Sequence, residues 1–449
     1  MKFFYSLLWL AIFFMGLLAT GCRGLPVQGE RPAQADLAEV GGQLQTNLPV
    51  LSATATVHDA VLFAVKNHPA VAAAYADWAA AVANITVARS LPDPKLSFEF
   101  FAADAVSSLM GGLTTDIPGP GKLAARGAEE AAASRAKYFQ FEIVALQTAL
   151  AVEKTFYPLH FLDAKIRVNR QSLALLANLE TLARAQNEVG RATLQDVLRA
   201  QMEAEKLRTE TENLEDSRRL LRAQFKAALG LRTEQADPPV PQVADFTETN
   251  LDDEKWLATA TNQNPRLQAL AAEIQIAEAA IRMARKEKTP DFSAGFEVDA
   301  KAVPAVWNPQ FSATLPIWRD KLAAEISAAQ NGKRAAEARL SAAQLDLAVE
   351  FATQTYLIRE ANRELTLLRD RLLPRAGQTL AVARSAYRSG QADFLNVIDA
   401  ERALLNFQLD KIAAQIQREI ARAELTLLVV GVPPAGTPGL KSKILPPSR

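Results

Sequence analysis

Residues able to do chemistry are sparse and scattered in this sequence. The single cysteine, Cys22, and the three histidines, His58, His68 and His160, lie far apart along the 449 residues. No intramolecular disulfide or thiolate cluster can form, and no two imidazoles share metal-ligand spacing. HExxH and GxSxG words do not occur, and Gly121-Lys122 lacks both the glycine five positions earlier and the following Ser or Thr that a phosphate loop needs. Carboxylates are abundant, but on helices this charged they read as solvated faces and not as acid–base pairs. The pattern therefore excludes a recognisable catalytic, cofactor or metal centre. What remains is the Cys22 thiol.

Cys22 follows the small residues Ala19, Thr20 and Gly21, and these follow an apolar run from Phe3 to Leu18 behind Lys2. Such a run, roughly 16 residues long, is short for a membrane-spanning helix of about 20 and fits a secretory signal over residues 1–21. The junction is similar to the lipobox of bacterial lipoproteins, in which the cysteine becomes the acylated first residue. It departs from that pattern at Ala19, where Leu is usual. The alternative is an ordinary residue beside a peptidase site. Loss of residues 1–21 removes Lys2 and leaves the mature chain one charge negative, which argues against a nucleic-acid footprint. With 22% charged and 49% hydrophobic residues the chain is of folded composition. No apolar stretch of 18 or more residues is counted after the signal, so membrane insertion would have to use strands or a lipid.

The elements that would position any site are duplicated. Asn67-His68-Pro69 has a counterpart in Gln263-Asn264-Pro265, Pro92-Asp93 in Pro290-Asp291, and Lys122-Leu123-Ala124-Ala125 in Lys321-Leu322-Ala323-Ala324. Gly190, Val197 and Ala200 return as Gly390, Val397 and Ala400, and Leu229-Gly230 as Val430-Gly431. The order never changes, and the offset drifts only from about 196 to about 201. The expected organisation is a first repeat over 51–232 and a second over 250–432. An extended N-terminal segment over 22–50 and a Pro-, Gly- and Lys-rich tail over 433–449 flank them.

Each repeat opens with an alanine-rich helical segment that ends before a proline. Two alternating stretches follow, over 95–118 and 292–316. Leu96, Phe98 and Phe100 alternate with Ser97 and Glu99, and Phe292, Ala294, Phe296 and Val298 with Ser293, Gly295 and Glu297. Period two of this kind marks strands with one apolar and one polar face. Four strands cannot close a barrel, because bacterial barrels begin at eight, so strands lying in a membrane require several chains to share one barrel; three would give twelve strands.

Very long helical patterns come next, from Lys122 to Glu188 and from Lys321 to Ser389, with Pro158 and Pro374 expected to mark bends or local breaks. At 1.5 Å per residue each could extend about 100 Å. Glycine ends each pattern at Gly190 and Gly390, and Thr193 and Asp393 are placed to cap the return helices. Periodicity alone leaves two readings open, a coiled-coil bundle without a pore and a pore.

Taken together, these residues resemble the TolC-like outer membrane efflux proteins. The resemblance rests on the asparagine and proline near the start of each copy (Asn67-His68-Pro69 and Asn264-Pro265), the proline after each second strand, "YRSGQADFLNVIDAERALL" at 387–405 and "NEVGRATLQDVLRAQMEA" at 187–204. It implies a mainly α fold with a small β part. Long helical hairpins form an α-barrel, and four strands per chain contribute to a shared trimeric β-barrel. It also implies a homotrimer in the outer membrane, spanning into the periplasm and anchored to lipid. A periplasmic adaptor would link it to an inner-membrane pump of the resistance-nodulation-division type. Carried over by position, the adaptor-contacting tips are Gly190, Arg191, Ala192, Thr193 and Leu194, and Gly390, Gln391, Ala392, Asp393 and Phe394. Asn396 and Asp399 fall where the family narrows its periplasmic mouth with acidic residues. Only Asp399 is acidic here, a departure from a double carboxylate ring. Three copies of it near an axis would attract cations and repel one another; in the alternative, Asp399 pairs with Arg402. The segment "TTDIPGPGKLAARG" at 114–127 is similar to heavy-metal efflux members and suggests metal cations as cargo, although the sequence shows no metal-ligand set.

Two further readings stay in view: a structural coiled-coil lipoprotein without a pore, which has no need of phenylalanine-bearing strands, and an exporter of drugs or other small molecules on the same fold.

Overall fold

The structure is a computed structural model that describes residues 26–45, 50–52, 55–102, 106–240, 253–299 and 306–429. Cys22, the signal over 1–21 and the tail over 433–449 lie outside the described residues. In order, the elements are α1 (Glu30–Leu44), α2 (Val57–Asn67), α3 (Pro69–Arg89), β1 (Lys95–Ala102), β2 (Val106–Ile117), α4 (Lys122–Glu188) and α5 (Leu194–Ala228). The second repeat supplies α6 (Asp253–Gln263), α7 (Pro265–Lys286), β3 (Asp291–Asp299), β4 (Val306–Thr314), α8 (Arg319–Leu367), α9 (Leu373–Arg388) and α10 (Phe394–Leu428). A π-helical turn at Leu368–Leu372 separates α8 from α9.

The chain divides into two compact units. One holds the strands and the neighbouring helix ends, residues 78–136 and 271–337 with the start of α1; the other holds 38–77, 137–270 and 338–429. In the first unit the strands form a single antiparallel sheet in the order β1-β2-β3-β4, so that the two repeats join at β2 and β3. Beneath that junction Lys122 is 2% exposed. Its ammonium donates to Glu287 at 3.0 Å and to Asp291 at 2.9 Å, and the Gly119 N–H donates to Asp291 at 2.7 Å.

The second unit is helical, and alanine makes close helix approach cheap. One core cluster gathers Leu176, Leu179, Val197, Ala200, Phe394 and Val397; another gathers Trp256, Leu267, Leu347, Phe351, Leu425 and Val429. The asparagines of Asn67-His68-Pro69 and Asn264-Pro265 act as clips at the ends of helices. The Asn67 amide donates to the carbonyls of Leu229 at 3.2 Å and Gly230 at 3.3 Å, and the Asn264 amide to Leu428 at 3.1 Å. Each thus fastens the start of its repeat to the end of that repeat's last helix, satisfying carbonyls the helix leaves orphaned. Gly230 has φ +72°, and a Cβ there would stand 2.7 Å from the His68 Cα. Only glycine fits this position.

Three local expectations are modified. Pro158 lies inside α4 without ending it. The proline removes one amide donor, at a cost of roughly 3 kcal/mol, and burial of Phe156, Leu159, Phe161 and Leu162 around it holds the helix together. The break expected at Pro374 is the widened turn just before it, where the Leu373 N–H donates to Leu368. The segment 22–50, expected to be extended, forms α1 over Glu30–Leu44. Its start is held by the buried Glu30 carboxylate, which accepts from the Val27 N–H at 3.2 Å, Thr86 at 2.8 Å and Arg89 at 2.7 Å. Alanine and glutamate carry that helix without an apolar period, so no periodicity announced it. Among the described residues one helix, α3, is long and apolar enough to cross a membrane by length and composition, with mean hydropathy 1.3. This differs from the expectation that no such stretch follows the signal; alanine, ten of the 21 residues, carries much of that hydropathy.

Candidate functional site

The sheet segregates its faces row by row. Leu96, Leu113, Phe296 and Pro309 stand side by side across the four strands, and Phe98, Gly111, Val298 and Trp307 form the next row on that face. The opposite face carries Lys95, Thr114, Gly295 and Gln310, then Ser97, Gly112, Glu297 and Asn308. Leu96, Phe98, Leu113, Phe296, Trp307 and Phe311 are all exposed, Phe311 by 82%. An apolar patch of this kind is not a water-facing surface. Nine strand residues span roughly 30 Å, which matches an outer-membrane apolar band of about 25 Å on tilted strands. Within one chain β1 and β4 each have a neighbour on one side only. In lipid those free edges leave backbone groups unpaired at several kcal/mol each.

The far ends of the long hairpins are two copies of one turn. The Gly190 N–H donates to Asn187 and the Arg191 N–H to Gln186; Gly390 donates to Tyr387 and Gln391 to Ala386. Both glycines sit at positive φ, 69° and 74°, so each helix closes in a Schellman motif. Thr193 and Asp393 both occupy N-cap positions. The Thr193 N–H and hydroxyl donate to the Asp196 carboxylate at 3.0 Å each, whereas the Asp393 side chain makes no cap hydrogen bond. Gly190, Arg191, Thr193, Leu194, Gly390, Gln391 and Asp393 are exposed, and Ala192 and Ala392 are half-buried. Phe394 is the one tip residue that turns inward. It is 1% exposed, and its ring lies 5.2 Å from that of Tyr387.

Asn396 and Asp399 are exposed on one face of α10 and line a shallow groove with Gln378, Val382 and Ala386 of α9. Asp399 stands 3.7 Å from Arg402, whose guanidinium also bonds Glu203 of α5. Beside them lies Glu401, 3% exposed. Burial, then the neighbouring Glu203 charge, push the Glu401 carboxyl up to about 7, while Arg402 opposes them. The hydrogen bond from Arg402 holds Glu203 below the ordinary carboxylate range. Glu401 is not among the residues expected from sequence, although its signal is legible: it falls in the spacing Phe394, Val397, Glu401, Leu405, a charge on the apolar stripe.

A pH dependence follows. The folded Glu401 carboxyl holds its proton more tightly than the unfolded one, so its stabilising contribution is complete below the ordinary 4.5 and lost as pH rises through about 7. Glu153 in α4, also raised to about 7 mainly by burial, acts in the same window. Glu401→Gln is therefore expected to flatten, without abolishing, the fall in thermal midpoint between those pH values, and to raise the midpoint above pH 7. An unchanged slope in a pH series of melting curves would refute this.

Among the described residues no group of three or more His, Cys, Asp or Glu could hold a metal ion. The described residues thus combine an edge-open sheet bearing an exposed apolar face with two long helical hairpins in tandem. Residues 256–430 match the sequence model of the family described as outer membrane efflux protein. No curated protein matches the sequence. Among solved structures the chain is similar to CusC, at 16% identity and TM-score 0.70 over 83% of this chain and 91% of that one. It is also similar to the outer membrane protein VceC of Vibrio cholerae, at 16% identity and TM-score 0.69 over 83% and 96%. The open state of the MtrE outer membrane channel of Neisseria gonorrhoeae matches at 15% identity and TM-score 0.69 over 86% and 93%. The chain has the TolC-like fold, and its second repeat carries the sequence of the outer membrane efflux family.

Proposed function

We propose that three copies of this chain form one duct across the outer membrane and periplasm, fed by an inner-membrane pump of the resistance-nodulation-division type through a periplasmic adaptor. The observation that carries the reading is the open-edged sheet with an exposed apolar face: such a sheet is stable in lipid only when other copies close it. Gly190 to Leu194 and Gly390 to Asp393 present the tip surface to the adaptor, with Phe394 bracing the second tip from within. Asp399 and Asn396 line the narrow end. Cys22, acylated after signal cleavage, ties the chain to outer-membrane lipid. The segment at 114–127 favours heavy-metal cations as cargo over drugs; a conduit needs no ligand set for what it passes.

The test is mass in detergent solution combined with single-channel conductance in a planar bilayer. A trimer of small conductance is expected, and Asp399→Ala is expected to raise that conductance by removing carboxylates that gather near the axis. A conductance unchanged by Asp399→Ala would reduce the residue to a partner of Arg402. A monomer without conductance would overturn the channel assembly and favour the scaffold lipoprotein.

A further inference from the structure

The strands of one chain contain a measure of how two chains must join. The pair Lys95 with Thr114 in the first hairpin reappears as Ser293 with Ser312 in the second, each residue displaced by 198 positions. Where the repeats meet, Asp116 pairs with Ser293, Thr114 with Gly295 and Leu113 with Phe296. The same displacement turns β2 into β4 and β3 into β1. Resting on the reading that several chains share one barrel, we propose that β4 pairs antiparallel with β1 of a second copy in a defined register. Thr314 stands opposite Lys95 of the partner subunit, Ser312 opposite Ser97 of the partner subunit, and Phe311 opposite Phe98 of the partner subunit.

Two observations that played no part in setting the register agree with it. A slip of one residue would place apolar side chains opposite polar ones. In this register the exposed Phe311 and Phe98 share the apolar face, while Ser312 and Ser97 share the polar face. The second observation lies beneath the strands, where Lys122 clasps Asp291 and Glu287 under the β2–β3 junction. By repeat, Lys122 corresponds to Lys321, and Asp291 to Asp93. Both counterparts are exposed within one chain, and Lys321 reaches only across its own helix to Glu325 at 3.7 Å. In the joined barrel Lys321 meets Asp93 of the partner subunit. Glu287 corresponds to Arg89, which is already engaged with Glu30 at 2.7 Å. The seam therefore has one acid where the internal junction has two, and it is the place where the assembly comes apart into intact chains.

The experiment uses the full chain in outer membranes, with Cys22 retained in every variant. Facing antiparallel residues stand about 4.5–5.5 Å apart at Cα, within reach of a disulfide. Ser97→Cys combined with Ser312→Cys, oxidised with copper phenanthroline, is expected to shift the monomer band to covalent dimer and trimer on non-reducing gels. Each single variant, and Ser97→Cys with the out-of-register Gln310→Cys, is expected to remain monomeric. Cross-linking through Gln310→Cys in place of Ser312→Cys overturns the register and leaves the shared barrel standing. No cross-link in a protein whose mass is trimeric likewise overturns only the register; no cross-link in a monomer overturns the assembly itself. For the clasp, Lys321→Glu is expected to lower the temperature at which the native oligomer dissociates in detergent gels, and adding Asp93→Lys to restore it. Absence of restoration overturns the clasp.

Discussion

Phe394→Ala is expected to cost about 3–5 kcal/mol at the second tip, while Leu194→Ala, the same position of the first repeat, costs less than about 0.5 kcal/mol. The two residues follow equivalent turns and begin equivalent helices, but Leu194 is 63% exposed and Phe394 fully buried. The Phe394 ring packs on Tyr387 and fills the cluster formed by Leu176, Leu380, Val397 and Ile398. Truncation leaves a ring-sized hole among leucine, valine and isoleucine side chains that are already packed against one another and cannot collapse fully into it. Melting curves and amide exchange across 380–400 measure the effect. Phe394→Ala should lower the midpoint and speed exchange; Leu194→Ala should leave both unchanged. Equal effects in the two variants would mean that Phe394 is not a core residue. The pair also separates folding from assembly: under the proposed function Leu194→Ala weakens adaptor binding in a protein of normal stability, because Leu194 is the side chain offered outward.

The contrast marks where sequence stops informing structure. The helix Lys122–Glu188 was legible to the residue, because a long helical pattern starts at Lys122, tolerates Gly127 and Pro158, and is closed by Gly190. The strands were legible from the alternation around Phe98 and Phe296. Which of two equivalent tip residues turns inward was not legible, since Leu194 and Phe394 occupy the same place in the same word. α1 was missed because its helicity rests on alanine and on the Glu30 anchor to Arg89, a contact between residues far apart in sequence. Glu401 was missed for a different reason. Its position on the apolar stripe was readable, but its proximity to Glu203 of another helix was not. Pairing of β2 with β3 lay likewise beyond periodicity, which gives strands a face but no neighbour.

That pairing is what Lys122 secures, and Lys122→Met is expected to cost about 2–3 kcal/mol, somewhat below the 3–5 kcal/mol typical of breaking a buried pair. Burial alone would lower the Lys122 ammonium's proton affinity, but the hydrogen bonds to Asp291 and Glu287 outweigh it and hold the group above the ordinary lysine range. Methionine keeps the apolar stem and removes the charge, which leaves two carboxylates without the cation that bridges them. Their side chains are 36% and 40% exposed, so water takes up part of the loss, and the expected cost is reduced for that reason. The Gly119 N–H still donates to Asp291 and keeps the turn in place. Adding Asp291→Asn removes one of the stranded charges and should recover part of the stability, a non-additive pattern that a purely steric role for Lys122 would not produce. Thermal melting of the single and double variants decides between these, and additive losses would refute the ionic account. Lys321→Met, at the exposed counterpart, should leave the melting of the isolated chain unchanged and weaken only the oligomer. One repeated residue pair would then act as an internal fastener in one copy and a subunit fastener in the other.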